Sequence, residues 1–401
     1  MALVTTAPTI FARRPVLPAL TGLRAFTATN IVFFHFWNPA WFGPLAPMMD
    51  NGYVGVNFFF LLSGFILTYN YADRQDAGQF RRNQFWQQRV SRLYPVYVLG
   101  LLISFPILEL EWRYRTHANF FLGLSLTTIM QQGWSPKLAT FWNTPAWTLS
   151  CEVAFYLMFP LLLAVKWPRS VRKLLLILLL LWLSSMVLPL VYMWLRPDGM
   201  APITRMSNSY WLRAVKLTPL PHLPSFTFGI VLSRLNDQLK LTNQSRFWLA
   251  FAGICAISTV MMQGQKVPFL LMHNGLISPL FALAILGLVG HHPITYFLRF
   301  RLFVVVGEAS YCLYILHFNL WDWIHRSGIL VRLHLMRFDP WISYFMLEIA
   351  ALVAYRVVER PSRNWLQSVL PAIKHAHGKN QGHLPPARVR SQQAASESRT
   401  S

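Results

Sequence analysis

The sequence predicts an all-α, polytopic membrane protein, and three observations carry that prediction. The 401 residues are 54% apolar and only 12% charged, about half the charged share of an ordinary soluble domain. Runs without Asp, Glu, Lys or Arg extend from Asn51 to Ala72, Leu174 to Leu195, Phe247 to Gln265 and Val267 to Leu298, and about 20 helical residues cross a bilayer. The basic residues, 36 against 14 acidic, are segregated along the chain. If residues 1–16 lie in the cytoplasm, 24 of them fall on inner segments, which satisfies the positive-inside rule.

Taken in order, apolar runs and segments with one or two polar interruptions give ten helices, near 17–38, 53–72, 91–109, 146–166, 173–195, 222–235, 247–264, 269–290, 301–324 and 341–358. An even number puts both termini in the cytoplasm. The apolar stretch 119–131 is too short to cross and reads as an interfacial or re-entrant piece. Residues 17–366 form one membrane domain, and 367–401 a polar tail with little to bury, expected to be disordered.

Several function classes drop out. The charge excess is explained by topology, so no nucleic-acid partner is expected. Cys151, Cys255 and Cys312 lie singly in apolar runs, with no metal clip or disulfide framework, and no metal is expected. Arg13 and Arg14 precede an apolar run that continues past His35 without a cleavage motif, so the first segment is expected to be retained. Phosphate-binding glycine loops are absent from the sequence.

Polar residues inside spans are costly in lipid and usually face a cavity or a partner. Arg24 and His35 stand eleven residues apart, a helical rotation of about 1100°, so they share one face roughly 16 Å apart along the axis. His35 is expected deeper in the membrane than Arg24. An imidazole there suits a general base, since it is neutral at working pH and accepts a proton; the alternative is a histidine hydrogen-bonded between helices. Arg89 and Arg92 share a helical face at i, i+3, and their forked donors match phosphate oxygens, though basic residues at that depth also follow from topology alone. Glu152, near Trp147 and Ser150 at the outer end of the fourth span, needs a partner: it orients or charge-balances His35, or pairs with an arginine. Ser310, Tyr314 and His317 form one stripe at i, i+4, i+7, beside Tyr311, suited to lining a cavity or to bonding helices together. Glu359 and Arg360, followed by Pro361, read as an anchor at the inner interface where the last helix stops.

These segments resemble the membrane acyltransferase-3 family over Leu20 to Pro361. The likeness rests on Arg24-x10-His35, GVNFFFLLSGF (Gly55 to Phe65), Arg89-x-x-Arg92 with Tyr94 and Pro95, Trp147-x-x-Ser150-x-Glu152 with Phe155, Tyr156 and Pro160, Ser310-Tyr311 with His317, and Glu359-Arg360-Pro361. Departures stand at Thr21, Asn57 and Val153, where the family often carries acidic residues.

The resemblance implies a multi-pass O-acyltransferase of the cell membrane. It would move an acetyl or short acyl group from acyl-CoA, with acetyl-CoA the expected donor, to a hydroxyl of a cell-surface polysaccharide or lipid-linked glycan. A sugar-bearing small natural product such as a macrolide is the alternative acceptor. It further implies His35 as catalytic base with Glu152 in the catalytic site, Arg24, Arg89 and Arg92 as donor binders, and Trp147, Ser150, Ser310, Tyr311 and His317 as substrate or structural support. A secondary transporter, the more distant reading, would show broken helices at matching positions of two related halves, and no such symmetry is visible.

Overall fold

The computed structural model describes residues 14–36, 38–204 and 207–369. Every regular element among them is helical. The helices that overlap the ten expected spans are α1 Pro18–Phe36, α2 Val54–Asp76, α3 Arg82–Ile103, α4 Trp147–Ala164, α5 Val171–Leu195, α6 Leu223–Gln238, α7 Asn243–Met262, α8 Ser278–Leu288, α9 Arg301–Arg326 and α10 Trp341–Ala354. By length and apolarity seven helices suffice to cross a membrane: α2, α4, α5, α7, Phe269–Leu288 (which contains α8), α9 and the run from α10 to Leu366. The bent pair Arg82–Ile103 and Phe105–Tyr114 makes an eighth if counted as one span. The two remaining fall short in different ways: α6 has only 16 residues, and α1 carries Arg24, His35, Asn30 and three threonines.

Local chemistry explains the boundaries that differ from expectation. Helix α1 begins on Pro18, whose missing N–H costs nothing there. It ends at Phe36, ahead of Asn38-Pro39, because the residue before a proline is pushed out of the helical region. The third helix starts at Arg82, not near 91: the polar run Arg82–Gln88 hides it from a hydropathy reading, but Phe85 is buried and Trp86 donates Nε1–H to the Tyr156 carbonyl at 2.9 Å. At its other end the axis turns by 66°, with Ser104 Oγ donating to the Gly100 carbonyl at 2.6 Å and Pro106 opening the next helix. The stretch 119–131 is largely the helix His117–Thr128, capped by Thr116. Pro361 does not stop the last helix. A π-helical turn, Tyr355–Glu359, absorbs the missing donor, and Arg360–Val369 continues the helix. The expected disordered tail beyond Val369 lies outside the described residues.

Two seams bring backbones into direct contact. A Cβ at Gly64 of α2 would stand 2.0 Å from the Phe226 carbonyl oxygen of α6, and one at Gly229 of α6 would stand 2.0 Å from the Leu61 oxygen of α2. Glycine is needed on both sides for this approach. Likewise Gly307 of α9 would place a Cβ 1.9 Å from the Thr21 oxygen of α1. Such close packing is the usual source of helix association where apolar burial offers little gain. At one end of the bundle Arg14 bridges Asp73 (2.6 Å) and Asp237 (2.8 Å), and Arg234 meets Asp76 at 2.9 Å. The start of α1 and the ends of α2 and α6 therefore share one face.

Candidate active site

Helices α1, α2, α3, α4 and α9 enclose a cavity of about 860 Å³ including its open mouth. Its lining runs along α2 from Val56 to Leu67, about 16 Å at the helical rise. This wall is largely aromatic and aliphatic, with Phe59, Phe60, Leu62 and Ile66. The polar wall opposite carries Arg24 from α1, Arg89 and Arg92 from α3, Glu152 from α4 and Ser310 from α9. Each arginine reaches it because its helix presents one face inward: Arg89 and Arg92 lie at i, i+3 and well inside α3 rather than at its start.

The charges in this cavity are arranged to leave positive potential free. Arg24 donates Nη2–H to Ser310 Oγ at 2.8 Å, a neutral partner. Glu152 accepts from Tyr156 Oη at 3.0 Å, one turn along the same helix. Among the described residues no ion pair joins Glu152 to an arginine within 4.0 Å, and Arg89 Nε is buried without a hydrogen-bond partner. Its guanidinium lies over the Phe85 ring, 5.6 Å from the centroid. Tyr311 Oη donates to the Leu93 carbonyl at 2.7 Å, tying α9 to α3 beside Arg92. Three guanidiniums line the cavity with Glu152, while the buried Glu359 acts on Arg24 and Arg92 from behind; the remaining excess of positive charge beside an apolar wall makes a site for an anion.

His35 does not line this cavity. It sits in the last turn of α1, with its side chain exposed, since α1 ends one residue later. Its ring lies 5.1 Å from that of His317 on α9. His317 is fully buried, and its Nδ1–H donates to the Tyr314 carbonyl at 2.7 Å. Its Nε2 is buried without a hydrogen-bond partner. Tyr314 belongs to the cavity wall, so the imidazole pair begins one helical turn past that residue along α9.

Of the residues singled out from sequence, the structure gathers Arg24, Arg89, Arg92, Glu152, Ser310 and Tyr311 at one cavity, and His35 with His317 just beyond it. Glu152 faces the arginines and not His35. Ser150 is buried and accepts from the Gly133 N–H at 2.9 Å, bracing the preceding loop outside the cavity. Trp147 stacks with His273, 6.0 Å between ring centroids, and packs near His222. Glu359, expected at the interface, is instead buried behind the site, accepting from Cys312 Sγ at 3.2 Å. Sequence reasoning missed Tyr156 as a partner of Glu152, although its i, i+4 spacing signals one. Phe60 and Ser63 of the lining belong to the GVNFFFLLSGF motif, which carried no assigned role, and Thr148 was not singled out.

Residues 17–355 match the model of a family described as an acyltransferase domain, Acyl_transf_3. The chain is 34% identical over 166 residues to acyltransferase MdmB of Streptomyces mycarofaciens, covering 39% of this chain and 40% of that protein. It is 22% identical over 367 residues to O-acetyltransferase OatA of Staphylococcus aureus, covering 86% of this chain and 57% of that protein. A putative O-acetyltransferase of the same species is 23% identical over 384 residues, or 88% and 60% of the two chains. The chain thus spans between two fifths and three fifths of the length of these curated relatives. No solved structure matches it.

Proposed function

Because the chain belongs to the acyltransferase 3 family, we propose that it is a membrane-bound O-acyltransferase that moves an acetyl or short acyl group from acyl-CoA to a hydroxyl of a carbohydrate. The observation that supports this reading most is the cavity whose lining holds Arg24, Arg89 and Arg92 with one carboxylate, Glu152. The phosphates of coenzyme A dock on Arg89 and Arg92, whose planar donors pair with phosphate oxygens in twos. Arg24, held by Ser310, stands further along the donor path. The apolar wall of α2 accepts the uncharged arm, and the thioester reaches the end of the cavity at Tyr314 and Thr148.

His35 is the catalytic base in this reading. It takes the proton of the acceptor hydroxyl while the oxygen attacks the thioester carbon, and the departing sulfur then recovers that proton. Glu152 limits the positive charge of the donor site and, with Tyr156, keeps the guanidiniums apart from it at defined positions. Ten crossings place both termini in the cytoplasm, the donor entering from inside the cell membrane and His35 lying near the outer face, where a polysaccharide or lipid-linked glycan is available. Acetyl is the favoured group, since the relatives covering most of the chain carry the name O-acetyltransferase.

Intact-mass comparison of glycolipids and secreted glycans from cells with and without the gene tests the proposal. A loss of one acyl unit from a glycan is expected in cells lacking it. A loss confined to a secreted small glycoside moves the acceptor to that second class, and no acyl difference in any hydroxylated product contradicts the reading.

A further inference from the structure

The two rings beyond the cavity are not equivalent. His317 is fully buried on α9, and its Nδ1 carries the proton because its partner, the Tyr314 carbonyl at 2.7 Å, only accepts. The lone pair therefore resides on Nε2, which is buried and without a hydrogen-bond partner. An orphaned buried acceptor costs free energy unless a partner arrives in the working state. The rings against His317 are those of Phe36, Phe318, Tyr314 and His35. Two are hydrocarbon, and the Tyr314 hydroxyl is directed at the Pro145 carbonyl. His35, at 5.1 Å between ring centroids, is the neighbour with an N–H to give.

We infer that His317 is a positioning residue for acyl transfer, its Nε2 accepting the N–H of His35 so that the other nitrogen of His35 presents its lone pair to the acceptor hydroxyl. The inference rests on His35 being the base. A neutral imidazole here does what a carboxylate does for the histidine of a hydrolase: it selects the tautomer and fixes the ring. The proton balance is unchanged by it. The acceptor proton passes to His35 and on to the leaving sulfur, the acyl carbon exchanges its C–S bond for a C–O bond, and the proton on His317 Nδ1 stays there throughout, donated to the Tyr314 carbonyl. The arrangement also explains why an exposed histidine at a helix end is paired with a buried one: the buried ring supplies the rigidity the end of α1 lacks.

Two polar variants separate this role from packing. In His317→Asn the side-chain amide reaches the Tyr314 carbonyl as Nδ1 does but leaves no acceptor at the Nε2 position; in His317→Gln the carboxamide oxygen reaches that position. With purified full-length protein, acetyl-CoA and a glycan acceptor, His317→Asn is expected to lower kcat about 10²-fold with the donor KM within about twofold. His317→Gln is expected to remain within about tenfold of the parent. Equal losses in the two variants, or full activity of His317→Asn, overturn the inference. Donor affinity measured on each variant reports folding independently of turnover. Undiminished turnover in His35→Ala removes the base and with it the wider reading, whereas an inactive His35→Ala beside a fully active His317→Asn removes only the role of His317.

Discussion

Replacing Gly307 by alanine perturbs the site without touching it. The added methyl falls 1.9 Å from the Thr21 carbonyl oxygen, so α1 and α9 must part by about 1.1 Å merely to bring that contact to 3.0 Å. The two nearest atoms, the Thr21 carbonyl oxygen and carbon, are helical backbone, so the relief has to come from moving one helix against the other. Three residues further along the same seam Arg24 meets Ser310 at 2.8 Å. A rigid separation of the same size takes that hydrogen bond to about 3.9 Å, outside bonding range. It also moves the ring of His35 relative to His317, since these lie on the same two helices. Overpacking of this kind costs about 1–3 kcal/mol, and a misplacement of about 1 Å at a reacting group costs turnover about 10²-fold. Purified Gly307→Ala is therefore expected to melt earlier in detergent and to lose transfer in much greater proportion than donor binding. Parent-like melting and turnover in that variant would refute the claim that this seam carries the site.

The remaining expectations concern charge. Removing both guanidiniums in Arg89→Ala/Arg92→Ala deletes charge-assisted bonds worth about 1.5–3 kcal/mol each, so calorimetry is expected to show acetyl-CoA affinity falling by about 10²-fold or more; unchanged affinity reassigns both residues to membrane topology. Outside the spans, Asp198 caps the helix Tyr210–Leu217 through the N–H groups of Leu212 (2.8 Å) and Trp211 (3.2 Å). Partial burial pushes its carboxyl up, but the bonds from Ser209, Leu212 and Trp211 outweigh that and hold it below the usual carboxylate range. A depressed carboxylate stabilises above its unfolded value of about 3.9 and loses that contribution as pH falls through the folded one. Amide protection at Trp211 and Leu212, taken relative to the intrinsic exchange rate at each pH, is thus expected to fall below that range, and Asp198→Asn to show faster exchange already at neutral pH. Exchange in Asp198→Asn indistinguishable from the parent would dismiss the cap.

The all-helical architecture was legible because hydrophobic run length is a one-dimensional property, and lipid forbids unpaired backbone. What escaped were features decided by contacts. Arg82–Gln88 is too polar to announce a helix, and only the burial of Phe85 and the Trp86 bond to Tyr156 make it one. Pro361 reads as a stop, yet a π-helical turn lets the helix pass it. At the site, the eleven-residue interval between Arg24 and His35 correctly places both on the face toward α9, where Ser310 and His317 receive them. What the spacing does not encode is that α1 stops at Phe36, which leaves His35 in its last turn. The surroundings of Glu152 are a tertiary fact, the meeting of five helices, and no spacing within α4 encodes them.

The central claim is that an imidazole at the outer end of α1 performs the proton transfer while the arginine cavity holds the donor. His35→Ala in purified protein, assayed in parallel for acetyl-CoA binding and for acyl transfer to acceptor, tests it most directly. Donor affinity equal to that of the parent with transfer abolished is the expected result; transfer at the parent rate would contradict it.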